Sequence, residues 1–429
     1  MLKSNFKKFQ SRFFIGLSSF QLLAMFRRGL FYTYLSIYFK FFLNLSVTET
    51  TLYATLPMLM SILFQNFVWG PISDKIQRRR LLIISGEIIA GIGTLIVWAI
   101  HFNFTNLYLA GYVIIIGLTI IEMFWSMSNI GWTALVSDLY SFKNRSKIMG
   151  YLTSIGGLGR IIGISIGGFL YDNGLGFRNG LLFFVSSFVM FISTIPMIIF
   201  TPEGGIRSNI KDESEKNPQI NLDDSQKNMK IYIIFIISLT FINFGINSIA
   251  VPFPQYLKLD SGFAVSDITL SFIANTRSIS MIVFGFSAGL LSKKFGHART
   301  LILGSSSGII ALIIIATSIN LPSVFLGSFI IGASEVIIYA SSYAFASILI
   351  PEARRAKLFG VYNTTFFLSW GLACTLISAP LIDFLVSQGE PEVLAYQLAF
   401  IVGAIICFIG LLIFILLDIW IKIKEKPND

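Results

Sequence analysis

The chain has 429 residues, 55% of them hydrophobic and only 13% charged, with a mean hydropathy of +0.76. A soluble domain carries roughly a quarter charged residues, so the composition excludes a soluble protein and points to one embedded in a membrane. The net charge of +10 is not a nucleic-acid footprint, because the basic residues collect in short loops on one side of the predicted spans.

The N-terminus carries Lys3, Lys7, Lys8 and Arg12 ahead of an apolar stretch that continues to Leu43. No small-residue cleavage site follows, which predicts a retained first helix with a cytoplasmic start. Apolar runs near 13–43, 49–70, 82–101, 107–138, 147–171 and 179–200 predict six helices. Each is about 20 residues or more, enough for a helix to span and far too long for a barrel strand. The polar stretch Thr201–Lys230 reads as a linker. Six further runs follow, near 231–257, 267–291, 300–319, 324–350, 358–386 and 395–420.

Of the lysines and arginines, only Lys40, Arg178 and Lys258 fall in predicted outer loops, while Arg27, Arg28, Arg160 and Arg277 fall within helices. The rest lie in loops, linker and tails on one side, which predicts that both termini are cytoplasmic. Cys374 and Cys407 sit in apolar runs and imply neither a disulfide framework nor a metal site. His101 and His297, both near helix ends, offer little basis for histidine-centred catalysis. No nucleotide loop, metal-ligand cluster or nucleophile–base constellation supports an enzyme, and no cofactor is implied.

The two halves repeat each other. Val47-Thr48-Glu49-Thr50-Thr51-Leu52 recurs as Val265-Ser266-Asp267-Ile268-Thr269-Leu270, each copy placing a hydroxyl and an acid at a helix start. Arg145-Ser146-Lys147-Ile148-Met149-Gly150 recurs as Arg355-Ala356-Lys357-Leu358-Phe359-Gly360. Between the second and third predicted helices lies a charged turn over residues 70–82, with Gly70, Asp74, Lys75, Arg78 and Arg79. It recurs at 289–299 with Gly296 present and Lys293 in place of the aspartate.

The pattern of Gly70, Asp74, Lys75, Arg78 and Arg79 resembles the signature loop of the major facilitator superfamily, with Gln77 where that family prefers glycine. The resemblance covers essentially the whole chain. It implies an all-α integral membrane fold of twelve transmembrane helices in two six-helix pseudo-repeats, 1–200 and 231–429, joined by the cytoplasmic linker 201–230. It also implies a gate in which Asp74 meets the start of the eleventh helix around Ala356–Gly360, while Lys75, Arg78 and Arg79 reach Asp138. In the fifth helix Gly150, Gly159, Gly163, Gly167 and Gly168 resemble the glycine motif of the family's proton-exchanging exporters, with Ile164 replacing its proline. An arginine early in the fourth helix, a second exporter signature, is replaced by Tyr112 and Val113. Glycines four apart also serve plain helix packing. Arg160 is expected at the seam between the halves.

Charges at mid-bilayer depth are expensive and usually functional. Gln21, Met25, Arg28, Tyr32 and Ser36 share one face of the first helix, which favours Arg28 over Arg27 for a polar cavity. The fourth helix carries Glu122, Ser126, Asn129, Thr133 and Ser137 at helical spacing. The seventh offers Asn243 and Asn247, the eighth Arg277, and the tenth Glu335 with Tyr339 and Ser342. In the family, helices one, four, seven and ten line the central cavity. Each half thus offers an acid with an arginine, as a coupling site or as the structural pairs Arg28–Glu122 and Arg277–Glu335. The 42 Phe and 15 Tyr suit an aromatic pocket or, more plainly, the bundle and its lipid face.

The expected function is secondary active transport of a small organic solute by alternating access, most simply proton-coupled export from a monomer in the plasma membrane. The alternatives are uptake or exchange of an anionic metabolite or sugar, and a non-transporting membrane receptor.

Overall fold

The computed structural model describes residues 2–140, 142–204, 222–350 and 355–425, with side chains placed except at 2–11, 137, 142–147, 150, 222–228, 286, 288, 355–357 and 424–425. Every regular element among the described residues is helical. Twelve long helices follow in order: α1 Leu2–Ile37, α2 Val47–Phe64, α3 Arg79–Asn103, α4 Leu107–Leu139, α5 Phe142–Tyr171, α6 Leu181–Phe200, α7 Leu222–Asn247, α8 Asp267–Phe295, α9 His297–Ala316, α10 Leu321–Leu349, α11 Arg355–Ala373 and α12 Glu392–Glu425. Helices α2 to α12, several with short continuations, are long and apolar enough to cross a membrane. Helix α1 has 36 residues and carries its basic residues along its length.

The twelve runs expected from the sequence are helical, except that the run 231–257 is broken by turns at 248–251 before a short helix Pro252–Lys258, and the other differences lie at their ends. The charged turn predicted over 70–82 is mostly helix. After a π turn at Gln65–Trp69, a helix covers Gly70–Ile76, and α3 starts at Arg79. Gln77 turns the chain with φ 55° and ψ 21°, the left-handed region that glycine adopts without cost. Its repeat partner Gly296 also turns the chain at positive φ between α8 and α9, but at φ 84° and ψ 157°, a region essentially confined to glycine. The preference for glycine at this position therefore has a backbone cause. The linker predicted to end at Lys230 gives its last residues to α7, which begins at Leu222; residues 205–221 lie outside the described set.

The hydroxyl cap of α2 is Ser46, one turn before the acid, rather than Thr48. The Ser46 hydroxyl accepts from the Glu49 N–H at 3.2 Å and the Glu49 carboxylate accepts from the Ser46 N–H at 2.9 Å, a capping box. The repeated segment at Arg145–Gly150 and Arg355–Gly360 falls largely outside the described side chains, as does Ser137.

The chain divides into two compact units. The first holds Met1–Leu45, Leu52–Ser214 and Asp267–Phe272. Its tightest seam joins α1 to α5. A Cβ on Gly159 would lie 2.2 Å from the Leu22 carbonyl oxygen, one on Gly163 2.0 Å from that of Phe26, and one on Gly29 2.5 Å from that of Arg160. Within lipid, where apolar burial gives helices little drive to associate, such backbone approach is what holds them. The glycine motif of α5 therefore packs against α1 inside this unit. Helices α3 and α4 approach closely at Gly86, where a Cβ would lie 2.9 Å from the Ser128 nitrogen.

The second unit holds Ser46–Thr51, Glu215–Ser266 and Ile273–Asp429. Gly245 of α7 lies against α12, a Cβ there falling 2.4 Å from the Cys407 nitrogen. Gly332 of α10 lies against α8, a Cβ falling 2.3 Å from the Arg277 carbonyl oxygen. Asp383, in the helix Ala379–Ser387 that continues α11, accepts from the N–H groups of Val47 and Thr48 at 2.9 and 2.7 Å. A carboxylate is well placed at a helix start, where N–H groups are unpaired.

Candidate functional site

In the first unit the charges gather around one indole. Arg27 and Arg28 of α1 lie over the Trp125 ring of α4, with their guanidinium carbons 4.2 and 5.0 Å from its centre. Guanidiniums on an aromatic face gain from the ring quadrupole, most strongly where water is excluded. Arg27 is 3% exposed and one of its terminal nitrogens has no hydrogen-bond partner. Arg28 is exposed. Arg27, Tyr32, Thr94, Glu122, Trp125 and Ser186 all line one enclosed pocket. The helical face favours Arg28 over Arg27 for a polar cavity, and the structure places both guanidiniums on one ring. Side chains this long cover the angle between adjacent helical positions, so both arginines reach the same ring, and Arg27 is the one that lines the pocket.

Glu122 lies within hydrogen-bonding reach of the Ser61 hydroxyl of α2, which itself accepts from Gln65 at 2.8 Å. The predicted pair Arg28–Glu122 gives way to a looser cluster, in which the indole is the surface both guanidiniums face. A second acid, unforeseen from the sequence, joins it. Glu87 of α3 is 2% exposed, and one carboxylate oxygen accepts from Trp125 Nε1 at 2.6 Å and from the Ser128 hydroxyl at 2.8 Å. The close α3–α4 approach at Gly86 sets Ser128 beside it.

The remaining stripe residues disperse. Gln21 and Met25 pack against α5, where Gln21 Nε2 and Met25 Cγ lie 3.0 and 2.9 Å from the position a Gly156 Cβ would take. Ser126 is buried and donates to the Met123 carbonyl at 2.9 Å, and the Asn129 carbonyl accepts from Thr133 at 3.0 Å. Ser36 is buried.

The second unit does form its predicted pair. Arg277 of α8 and Glu335 of α10 form a bidentate pair, Nε and Nη2 donating to the two carboxylate oxygens, with the Nε–Oε2 contact at 3.2 Å. Gly332, one turn before Glu335, brings the two helices together and places the acid opposite the arginine. Asn243 and Asn247 of α7 bind α11 instead of standing free. Asn243 donates to Thr365 at 3.3 Å, and Asn247 donates to Ser369 and to the Asn243 carbonyl, both at 3.1 Å. Tyr339 is half exposed, and Ser342 shares a hydrogen bond of 2.9 Å with Tyr362.

At the signature loop the organising residue is Arg79. It binds Asp74 at 3.1 Å, Asp138 at 3.4 Å and the Ser73 hydroxyl, and it is 8% exposed. Lys75 and Arg78 are exposed. Arg80, unremarked in the sequence, fastens the end of α6: its amide donates to Glu203 at 2.7 Å and its guanidinium to the Thr201 carbonyl at 2.9 Å. The predicted partner of Asp74 at the start of α11 lies largely outside the described side chains.

The family model described as Major Facilitator Superfamily matches residues 17–374 and 233–428. The chain belongs to this superfamily. It is therefore a membrane transporter of a small molecule and not an enzyme. Among curated proteins of this superfamily type, Multidrug resistance protein 2 of Bacillus subtilis is 26% identical over 183 residues, 42% of this chain and 44% of the relative. Multidrug resistance protein 1 of the same organism is 27% identical over 146 residues, 33% of this chain and 34% of the relative. The matched stretch thus spans less than half of either relative.

Among solved structures, the nucleoside transporter NupG superposes with a TM-score of 0.72 at 14% identity, covering 95% of this chain and 99% of that one. A bacterial homologue of the human lysosomal transporter Spinster gives 0.67 at 15% identity, covering 95% and 97%. A peptide-bound transporter of the POT family gives 0.69 at 14% identity, covering 95% and 96%. At such identities these superpositions show the twelve-helix major facilitator fold and nothing finer.

Proposed function

We propose that this chain is a proton-coupled exporter of small organic molecules, a monomer in the plasma membrane with both termini cytoplasmic. It works by rocking the six-helix bundles 1–200 and 231–429, joined by the linker 201–230, in alternating access. The observation that carries this reading is Glu122. It is a carboxyl group enclosed in a helix bundle beside two arginines that are held on an indole rather than committed to it. A buried carboxyl has its charged form disfavoured by desolvation and favoured by nearby cations. A small motion of Arg27 or Arg28 relative to Glu122 therefore changes its hold on a proton. In contrast, Glu335 is locked in a bidentate pair with Arg277 and serves the second bundle structurally.

The similarity to two multidrug resistance proteins favours export, and the glycine face of α5 is in keeping with it. The Arg79–Asp74–Asp138 network, with Gly70, Lys75 and Arg78 around it, acts as the cytoplasmic gate. Gly159, Gly163 and Gly167 hold α5 to α1 so that the bundle moves as one body. Gln21, Tyr32, Ser126, Asn129, Asn243, Asn247 and Tyr339 contribute to binding or to the walls around it. One observation favours a second reading, exchange of an anionic solute: the buried Arg27 nitrogen has no partner and lines the pocket.

The test uses purified protein in liposomes carrying an imposed pH gradient. An exporter collapses the gradient when lipophilic dyes such as ethidium are added, and an anion exchanger collapses nothing with dyes but moves labelled organic anions. A gradient untouched by any solute would refute proton coupling.

A further inference from the structure

The Glu87 carboxylate stands outside the pocket that Glu122 lines, yet it is joined to the same indole. We propose that Glu87 is a positioning residue for Arg27 and Arg28, acting on them through Trp125. Its carboxylate takes the indole N–H at 2.6 Å from the ring edge, while the two guanidiniums lie over the face. Two things follow for the ring. Its rotation is fixed, because an indole has only two side-chain torsions and its N–H is anchored. Its face is also made more negative, because a hydrogen bond from N–H to a carboxylate pushes electron density into the π system that attracts the cations.

A carboxylate at this depth is costly and a neutral acceptor would satisfy Trp125 and Ser128 equally well. What a neutral acceptor would not supply is a charge to offset two guanidiniums that lie beyond its direct reach. Arg27, already short of one hydrogen-bond partner, depends most on the ring. The ionisable groups facing this cluster are Arg27, Arg28 and Tyr32 on α1 and Glu122 on α4. The residues of α6 at the pocket, Ser186 and Met190, do not ionise.

The test is a double-mutant cycle with Glu87→Gln, which keeps an acceptor oxygen and loses the charge, and Trp125→Phe, which keeps a ring and loses the N–H. It is read twice: as thermal unfolding of the purified full chain, and as the pH profile of ethidium flux in liposomes. The flux arm rests on the proton-coupled reading, and the unfolding arm does not. If Glu87 acts through the ring, each single variant lowers flux about tenfold, the scale of one desolvated cation–π contact. The double variant then stays within about twofold of Trp125→Phe, with one pH profile shared by all three and distinct from the wild type. The shifts in unfolding midpoint are likewise less than additive. Additive shifts in unfolding, or a Glu87→Gln profile of wild-type shape, overturn the proposal. Should Glu87→Gln fail to fold, Glu87→Asp takes its place; it keeps the charge on a shorter arm, and additivity with Trp125→Phe is again the refuting result. A wild type that moves no ethidium contradicts the exporter reading, while the unfolding cycle still decides the role of Glu87.

Discussion

Replacing Gly163 with alanine is the smallest change that probes how the first unit is held together. The added Cβ would lie 2.0 Å from the Phe26 carbonyl oxygen and 2.8 Å from its carbon. Carbon–oxygen contacts between helices sit at about 3.3 Å or beyond, so α1 and α5 must part by about 1.3 Å at this point. Both groups are backbone, and no side-chain rotation relieves the clash. Overpacking of this kind costs about 1–3 kcal/mol. The Tyr34 hydroxyl donates to the Ile164 carbonyl at 2.7 Å on the same seam, and its loss adds about 1 kcal/mol. The expected destabilisation is therefore about 2–4 kcal/mol. Gly289→Ala is the control, because nothing lies within 4 Å of its Cβ position; helix propensity alone should make it neutral or stabilising by up to about 1 kcal/mol. Tryptophan emission during thermal unfolding in detergent reports both, since Trp69, Trp98, Trp125 and Trp132 belong to the first unit and Trp370 and Trp420 to the second, which holds Gly289. A Gly163→Ala variant that melts with the wild type would refute close backbone contact as the function of the glycine motif.

Further outcomes follow from the same geometry. Gln77→Gly should be neutral or stabilising by about 1 kcal/mol, because it relieves a left-handed residue, whereas Gly296→Ala should cost about 1–3 kcal/mol; unfolding midpoints moving in the same direction would contradict this. Arg79→Gln should cut transport far more than Lys75→Gln or Arg78→Gln, since only Arg79 is buried among Ser73, Asp74 and Asp138; equal flux in the three variants would remove it from the gate. Glu335→Gln should destabilise by about 3 kcal/mol, by leaving Arg277 without its charge partner, and Arg277→Met combined with Glu335→Leu should recover most of that loss; a double variant worse than the single would show that the pair does more than lock its bundle.

The spans, their number and their pairing into repeats were legible because a bilayer imposes one length and one solution for the backbone. The pair Arg277–Glu335 was legible as well, because each is a lone charge in an apolar run. The same rule applies to Glu87, the lone acid in the run 82–101, yet it belongs to no polar stripe on its own helix. Its partners Trp125 and Ser128 lie on another helix, and neither marks a polar face at helical spacing. Arg27 and Arg28 are not separable on a helical wheel for a different reason: the wheel assigns Cβ directions, while a guanidinium several bonds away is placed by what attracts it. Asn243 and Asn247 look like cavity residues from spacing alone, yet Thr365 and Ser369 on α11 take up their donors. Only the assembled bundle shows which polar groups are already satisfied.

The most direct test of the central claim compares uphill and downhill transport in Glu122→Gln. Purified wild-type and variant proteins are reconstituted in liposomes, and ethidium movement is followed with and without an imposed pH gradient. If Glu122 carries the proton, the variant no longer accumulates ethidium against its gradient but still equilibrates it downhill, while Glu335→Gln protein that folds retains uphill transport. Uphill transport undiminished in Glu122→Gln would contradict the account.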